Sequence, residues 1–344
     1  MTAAPSLPPL TWVIGRGGLL GQSLETAFKK VAPKTATDGA REPTGSPGLL
    51  WRPTEPITWT DAGTGAQELG VQAVQFLQAA GDQPWSVAWC AGAGVTGTSA
   101  AALELELVAL RGTLDALAAA PRGRDGAFFF ASSAGGVYAG VGRPPYDESS
   151  PVGPLAAYGQ AKLDAEALVT AWSHRTGSPS LIGRIANLYG PGQNLAKAQG
   201  LISQIARSHL TGQPLSIYVS LDTLRDYLFA PDCAGLIVEG MARLRREQSA
   251  TYPLVVTKIL ASQRAITIGA VLAEMRRIFK RNPRIVLGAS SVSAMQARDL
   301  SLRSRVWPEL DRRNLTPFPA GVAATAADLL RQLQVGAMRG LIAS

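Results

Sequence analysis

Cysteine, histidine and long apolar runs are scarce in this sequence of 344 residues. The two cysteines, Cys90 and Cys233, lie far apart without CxxC or metal-ligand spacing, which argues against a disulfide framework and a zinc site. The two histidines, His174 and His209, lie in polar helical stretches without a serine or acidic partner at useful spacing. We therefore assign the histidines no role and expect no metal site.

No apolar run reaches the roughly 18–20 residues that a membrane span requires. The opening MTAAPSLPPL has neither the basic segment nor the long apolar segment of a signal peptide. We therefore expect a cytoplasmic protein without a membrane partner.

Acidic residues are outnumbered, with 25 Asp and Glu against 33 Lys and Arg and a formal net charge of +8. Such a surplus favours an anionic partner. The basic residues are scattered, with short clusters only at 242–247 and 276–284, and we find no nucleic-acid-binding motif. A phosphorylated small molecule explains the charge as well as a nucleic acid does, and we expect no nucleic-acid partner.

Short apolar runs alternate with helical stretches over the first half of the chain, which is the pattern of βαβ units and a parallel sheet. The expected strands are 10–15, 49–51, 57–59, 85–92, 127–133 and 180–187, and the expected helices are 18–30, 66–80, 99–120 and 157–174. Segment 31–56 is rich in proline, glycine and threonine, so we expect a surface excursion there. After residue 187 the pattern loosens, which indicates a smaller and less regular domain.

The segment VIGRGGLLGQSL follows the first expected strand and opens the first expected helix. Glycines at three-residue intervals permit a tight turn and a close backbone approach, and the helix N-terminus offers unpaired N–H groups to a pyrophosphate. This context predicts a bound dinucleotide. The predicted contacts are Gly15, Arg16, Gly17, Gly18, Leu19, Leu20 and Gly21.

The second expected strand ends in Trp51 and Arg52, where an NAD-binding protein usually carries an acidic residue. Together with Arg16 in the loop, Arg52 can meet a 2′-phosphate, which favours NADP slightly over NAD. Asp38 is the rival acidic residue, but its surroundings are too polar for a sheet strand. Plain surface arginines are the alternative reading.

Tyr158 and Lys162 lie four residues apart in the expected helix 157–174. This spacing puts both side chains on one helical face, about one turn apart. An ammonium near a phenol oxygen favours the phenolate, so the pair predicts an acid/base that takes a hydroxyl proton while a nicotinamide takes the hydride. A tyrosine and a lysine on the rim of an ordinary helix are the alternative.

The order of these motifs resembles the extended short-chain dehydrogenase/reductase family, in its NAD-dependent epimerase/dehydratase branch. The resemblance runs from about residue 10 to 232 and rests on the glycine loop, WCAGAG, FFFASSAGGVYAG, YGQAK, GRIANLYGPGQN and LRDYLFAPDCA. It implies an α/β fold, with a Rossmann-type doubly wound parallel sheet over 10–190. A smaller, mixed substrate-binding domain is implied over 191–340, with part of 214–245 returning to the sheet.

The resemblance also implies roles for further residues on the cofactor side. Ala91 and Gly92 would lie against the cofactor, Asp61 would be the acid on the adenine side, and Lys162 would also hydrogen-bond the nicotinamide ribose. Ser133 is our choice for the hydroxyl that bridges the substrate oxygen and Tyr158. Ser132 remains open, because SSAGGVY has one residue more before Val-Tyr than the commoner SSAAVY.

On the substrate side, the resemblance implies a nucleoside diphosphate sugar. Asn187 would contact the sugar or the diphosphate, and Arg225 would clamp the phosphates through its planar guanidinium. Leu201, within 198–202, would border the base, and Arg298 is a second phosphate candidate. A structural ion pair for Arg225 and a surface charge for Arg298 are the alternatives.

Two departures from the family pattern limit the chemistry. Ala134, Gly135 and Gly136 stand where the dehydratases carry Asp-Glu after the active-site Thr, so we do not expect a 4,6-dehydratase. Ala109 stands where the family usually has an Asn that helps to shape the site. The hypotheses are a sugar-nucleotide epimerase that retains NAD, an NADPH-dependent ketoreductase of sugar nucleotides, and a non-catalytic NAD(P)-binding regulatory protein. The family also implies a homodimer built from the helices expected over 99–120 and 157–174.

Overall fold

The computed structural model describes residues 8–31, 50–95, 97–119, 126–194, 200–248, 252–288 and 297–336. The strands are β1 (Leu10–Ile14), β2 (Leu50–Trp51), β3 (Trp85–Trp89), β4 (Gly126–Ser133), β5 (Ser180–Ile185), β6 (Asn187–Tyr189), β7 (Leu215–Ile217), β8 (Leu224–Phe229), β9 (Val255–Leu260), β10 (Ala265–Thr267), β11 (Ile285–Leu287) and β12 (Asp299–Leu300). The helices are α1 (Leu19–Val31), α2 (Ala62–Ala80), α3 (Ala100–Leu117), α4 (Ala134–Tyr138), α5 (Ala157–Thr176), α6 (Leu201–Thr211), α7 (Ala230–Glu247), α8 (Ile268–Phe279) and α9 (Phe318–Gln334), with a short 3-10 helix at Leu310–Arg312.

Six parallel strands form the main sheet in the order β2-β1-β3-β4-β5-β9. Every residue of β1 and of β3 is buried, including the polar Thr11 and Ser86, and the mostly apolar sequences of these strands fit a sheet that is covered on both faces. The predicted doubly wound α/β sheet is therefore confirmed. The Asp38 candidate lies outside the described residues.

Segment 57–59, expected to be a strand, is irregular instead. Its backbone is held by α2: the Thr58 N–H donates to Glu68 Oε2 at 2.6 Å, and the Thr58 hydroxyl donates to Glu68 Oε1 at 3.0 Å. Gly65 of α2 approaches closely enough that a Cβ there would lie 2.6 Å from the Thr58 carbonyl oxygen. The helix thus satisfies the polar backbone of this segment in place of a neighbouring strand.

Alternate residues of β4 enter two separate apolar cores. Phe128 and Phe130 pack with α2, α3 and α5 on one face of the sheet, and Phe129 packs with α1 and α7 on the other. This alternation follows from the two-residue period of a strand. It also determines which way the serines at the end of β4 point.

The second part of the chain builds a smaller unit beyond the ends of the main strands. A four-stranded sheet pairs β8 with β6, β10 and β12, and a separate ribbon pairs β7 with β11. Helices α6, α8 and α9 bury an apolar cluster against this sheet. The return to the main sheet consists of α7 and β9, so it begins inside the predicted segment 214–245 and extends beyond it to residue 260.

No helix within the described ranges has the length and apolarity needed to cross a membrane.

Candidate active site

The glycine loop joins β1 to α1 and is packed against the end of β3. Gly15 has a φ of +86°, and a Cβ there would lie 2.5 Å from the Ala91 nitrogen. A Cβ on Gly21 would lie 2.3 Å from the Gly15 carbonyl oxygen, so α1 begins directly against the loop. The Gly18 N–H donates to the Gly15 carbonyl at 3.0 Å, which closes the turn. Only glycine fits at positions 15 and 21.

The rim of this loop is open. Arg16, Gly17 and Gly18 are exposed, and a Cβ on Gly17 would meet no atom within 4 Å. The first turn of α1, beginning at Leu19 and Leu20, follows at once and carries the unpaired N–H groups and the positive dipole end of the helix. A tight backbone cradle beside an open helix N-terminus fits a pyrophosphate.

On the adenosine side, the two predicted residues already have protein partners. Arg52 donates through Nε and Nη2 to the carboxylate of Glu25 on α1, at 3.2 and 2.7 Å. Asp61 caps α2 by accepting from the Thr64 N–H at 2.7 Å, and hydrogen bonds from Thr64 lower the pKa of Asp61. Arg52 therefore belongs to an ion pair with Glu25, which weakens the electrostatic attraction that we expected between Arg52 and a 2′-phosphate.

Tyr158 lies in the first turn of α5, at the ends of β3 and β4. Its ring is flanked by two glycines, because a Cβ on Gly94 would lie 3.2 Å from the ring and one on Gly136 would lie 3.1 Å from it. Lys162, one turn later, has its Nζ 5.7 Å from the centre of the Tyr158 ring. The ammonium donates to the Ala131 carbonyl of β4 at 3.4 Å.

Tyr158 and Lys162 line a pocket between the end of the sheet and helices α3 and α5. Most of its lining is apolar: Trp89, Leu103, Leu107, Leu110, Phe130, Ala161 and Ala165. Ala109, the departure from the family pattern, is buried beside Leu110 in the core of α3. The charge in the lining comes from Lys162 and from Glu106 of α3, a residue without a predicted role.

Glu106 holds the loop that follows β3. Its Oε1 accepts the Ala93 N–H at 2.6 Å and the Gly94 N–H at 2.9 Å. A Cβ on Gly92, which has a φ of +143°, would lie 3.1 Å from Glu106 Oε2. The loop that contains the predicted cofactor contacts Ala91 and Gly92 is thus fixed by a carboxylate.

The two serines at the end of β4 have different partners. Ser132 lies on the face that Phe128 and Phe130 share, and its hydroxyl donates to Glu166 Oε1 of α5 at 2.5 Å. Ser133 instead caps α4, with its oxygen accepting the Gly136 N–H at 3.1 Å. A hydroxyl that accepts still has its own proton to donate, whereas the Ser132 proton is committed to a carboxylate.

Behind Ser132 lies a buried charged cluster. Arg184 of β5 donates to Glu166 through Nε at 3.0 Å and Nη2 at 2.7 Å, and to the Tyr138 hydroxyl through Nη1 at 2.7 Å. Burial acts to lower the pKa of Arg184, but its bonds with Glu166 and Tyr138 prevail and raise it. The Tyr138 hydroxyl donates in turn to the Asp147 carbonyl at 3.0 Å.

The predicted substrate residues converge on the four-stranded sheet. Asn187 is exposed and opens β6 opposite Tyr227 of β8, while Arg225 of β8 lies opposite Leu300 of β12. Arg298 precedes β12, and its carbonyl accepts the Leu224 N–H at 2.9 Å. Two of the four predicted contacts therefore lie on neighbouring strands, and a third directly precedes another strand of the same sheet.

The predicted substrate residues Arg225, Arg298 and Leu201 differ in how deeply they are buried. Arg225 is 7% exposed, and burial lowers the pKa of its guanidinium. The Arg298 side chain is 79% exposed and pairs with Asp222. Leu201 opens α6 and is partly buried against the apolar cluster that α6, α8 and α9 form on this sheet. Residues 195–199 before it lie outside the described residues.

Glu166 and Glu106 are two functional-site residues that were not predicted from the sequence. Glu166 lies four residues after Lys162, so helical spacing alone puts it on the face of Tyr158 and Lys162. Glu106 carries no comparable signal, because its partners are backbone N–H groups of a separate loop.

Comparison with known proteins gives one family. The model of the NAD dependent epimerase/dehydratase family matches residues 12–253. A dTDP-L-rhamnose 4-epimerase from Burkholderia thailandensis is 34% identical over 91 residues, which cover 26% of this chain and 25% of that protein. A putative UDP-glucose 4-epimerase from Methanocaldococcus jannaschii is 32% identical over 105 residues, covering 30% of this chain and 34% of that protein. The aligned part of the chain spans only about a quarter to a third of the length of these curated relatives.

Solved structures share the fold over nearly the whole chain. A UDP-glucose 4-epimerase from Thermus thermophilus in complex with NAD superposes with a TM-score of 0.71 at 18% identity, covering 93% of this chain and 98% of that one. A UDP-glucose 4-epimerase from Thermotoga maritima with UDP-glucose superposes with a TM-score of 0.72 at 16% identity, covering 94% and 99%.

Proposed function

This chain belongs to the NAD-dependent epimerase/dehydratase family, and we propose that it is an epimerase of a nucleoside diphosphate sugar. The observation that carries the proposal is the position of Tyr158 and Lys162 on one face of α5, beside the strand-end loop whose other side packs against the glycine cradle. A dinucleotide lying in that cradle would extend from the N-terminus of α1 toward the Tyr158 ring.

The bound nicotinamide supplies the acceptor and donor of a hydride. Tyr158 takes the proton of the sugar hydroxyl and later returns it, and Lys162 provides the positive charge that favours the phenolate. Ser133 orients the substrate oxygen, since its hydroxyl proton stays available while its oxygen caps α4. We assign Ser132 a supporting role through Glu166.

On the substrate side, we propose that Arg225 and Arg298 bind the diphosphate and that Asn187 contacts the sugar. Asn187 and Arg225 lie on neighbouring strands and Arg298 directly precedes a third, which supports a common target. A guanidinium also suits phosphate oxygens geometrically. Binding would require Arg298 to exchange Asp222 for a phosphate, which an exposed pair can do at little cost. Leu201 would border the base.

We propose NAD as the cofactor, with Ala91, Gly92 and Asp61 among its contacts. The ion pair between Arg52 and Glu25 supports NAD over NADP, because it offsets the positive charge that a 2′-phosphate would need. The description of the family and the complex of the Thermus thermophilus UDP-glucose 4-epimerase with NAD point the same way. No observation in the described ranges specifically favours the ketoreductase or the regulatory protein.

The homodimer remains part of the proposal. Leu105 and Val108 lie on the outer face of α3, each 37% exposed, which supports an apolar helical interface. A monomeric mass in light scattering would contradict it.

The decisive experiment combines cofactor analysis with two tyrosine variants. The purified protein should contain or bind NAD more tightly than NADP and should interconvert sugar epimers when supplied with UDP- and dTDP-hexoses. Tyr158→Phe should lose turnover by about 100-fold or more while keeping NAD affinity. Tyr252→Phe, at a residue 76% exposed, is the matched control. Full turnover in Tyr158→Phe would refute the catalytic role, and net consumption of NADPH would favour the reductase.

A further inference from the structure

The carboxylate of Glu106 is a fixed negative charge next to the proposed acid/base. It reaches the pocket from the middle of α3 and is half-buried. Its Oε1 accepts two consecutive backbone N–H groups, those of Ala93 and Gly94, at 2.6 and 2.9 Å. A side chain held by two short hydrogen bonds, in a pocket whose lining is apolar except for Glu106, Tyr158 and Lys162, has little freedom to turn away.

The same contacts bring this charge close to Tyr158. Gly94 lies between the two residues, since a Cβ on it would be 3.5 Å from Glu106 Oε1 and 3.2 Å from the Tyr158 ring. The other oxygen of Glu106 faces Gly92, one of the proposed cofactor contacts. An acid/base that exchanges a proton with the substrate hydroxyl must lie beside the nicotinamide that exchanges the hydride.

From this arrangement we propose that Glu106 sets the redox preference of the site by stabilising the cationic, oxidised nicotinamide over the neutral, reduced one. The inference rests on the proposed function, because it takes the nicotinamide to lie beside Tyr158. Oxidised and reduced nicotinamide differ by one positive charge on the ring. A fixed carboxylate nearby therefore lowers the free energy of the oxidised form selectively.

The preference suits an epimerase. Its cofactor must return to the oxidised form at the end of each turnover. A negative charge that stabilises the oxidised nicotinamide therefore favours transfer of the hydride back to the sugar. A reductase has no such need, because it releases oxidised cofactor after every turnover.

The test separates the charge of Glu106 from its hydrogen bonds. Glu106→Gln keeps an oxygen that can accept the Ala93 and Gly94 N–H groups but removes the charge, whereas Glu106→Ala removes both. Glu104→Gln changes the same charge on an exposed residue of the same helix and is the matched control. Dissociation constants for NAD+ and NADH are measured by calorimetry on the full chain, and folding of each variant is verified by its melting temperature.

We expect Glu106→Gln to weaken the binding of NAD+ relative to that of NADH by roughly tenfold, because a unit charge near the ring acts on it more strongly inside a protein than in water. If the cofactor remains bound during purification, the same change raises its reduction potential by about 30 mV for a two-electron couple. Glu106→Ala should show the same ratio and weaker binding of both forms, and Glu104→Gln should match the unaltered protein.

Any other result of these binding measurements refutes either the inference about Glu106 or the proposed function. If Glu106→Gln changes both affinities equally or not at all, the charge inference is refuted while the proposed function stands. A ratio that changes only in Glu106→Ala reduces Glu106 to a residue that positions the loop, which also refutes the inference. If the unaltered protein binds neither NAD nor NADP in either redox form, the proposed function fails and the inference with it.

Discussion

The buried pair of Glu166 and Arg184 gives the most direct prediction of stability. Their side chains are only 9% and 10% exposed, and Glu166 accepts three hydrogen bonds, two from Arg184 and one from Ser132. Glu166→Ala removes all three and leaves a buried guanidinium with only the Tyr138 hydroxyl. Removing one partner of such a pair costs about 3–5 kcal/mol, because the desolvated charge that remains is uncompensated.

The large expected loss of stability depends on the burial of this pair, and an exposed ion pair on the same helix α5 serves as the control. Arg175 of the same helix pairs with Asp115 of α3 at 2.7 Å, but these side chains are 57% and 58% exposed. Solvent screens the exposed pair, so Asp115→Ala should cost less than about 1 kcal/mol. The closest N–O distance is 2.7 Å in both pairs, so the pairs differ in their burial and in the number of hydrogen bonds that the carboxylate accepts.

Urea unfolding at neutral pH measures both variants and a double substitution. Glu166→Met with Arg184→Met removes both charges and fills the space with apolar atoms, so the double variant should be more stable than Glu166→Met alone. The reasoning is refuted if Glu166→Ala loses no more free energy of unfolding than Asp115→Ala. It is equally refuted if the costs of the two single Met substitutions simply add.

Three further predictions concern other parts of the fold. Gly21→Ala places a Cβ 2.3 Å from a carbonyl oxygen and should lower stability by about 1–3 kcal/mol, whereas Gly17→Ala, with open space around it, should leave the melting temperature unchanged. His209 is 5% exposed, and its pKa is lowered mainly by burial and further by the positive charge of Arg281. The unfolded chain therefore binds a proton at this histidine more tightly than the folded chain does. Stability should therefore fall as the pH drops below about 6.5, and His209→Phe should remove that slope in pH-dependent urea curves. The ammonium of Lys258 is fully buried and bonds Asp311 at 2.9 Å, so Lys258→Met should cost about 3–5 kcal/mol in urea unfolding, and a loss below about 1 kcal/mol would contradict this reading.

The main sheet could be predicted from the sequence because its signals are local. Runs such as those of β1 and β3 are apolar at all but one position each, and the spaced glycines between β1 and α1 mark a turn that requires glycine at positions 15 and 21. Segment 57–59 has the same apolar character but bonds to Glu68, ten residues later. Apolar character alone does not tell a sheet strand from a segment that a helix covers.

The site could be predicted in part for the same reason. Tyr158 and Lys162 share a face through helical spacing, which is fixed by the sequence alone. The partners of Ser132 and Ser133 depend on which face of β4 each one occupies and on what packs there, and these facts come from tertiary structure. The role of Glu106 could not be predicted, because nothing in the sequence of α3 indicates that two N–H groups of the loop after β3 donate to its carboxylate.

Helix α5 shows why chemistry and stability are coupled in this fold. Tyr158, Lys162 and Glu166 recur at four-residue intervals on one face, and their environments change along the axis from a half-exposed rim to a buried interior. The phenol stays accessible to a substrate at the rim, while the carboxylate two turns inward is fixed by Arg184 and Ser132. Because Ser132 adjoins Ser133 on β4, the buried cluster fixes the register between α5 and the strand end. A substitution at Glu166 should therefore lower the turnover that we propose by shifting this register, without contacting the proposed acid/base Tyr158.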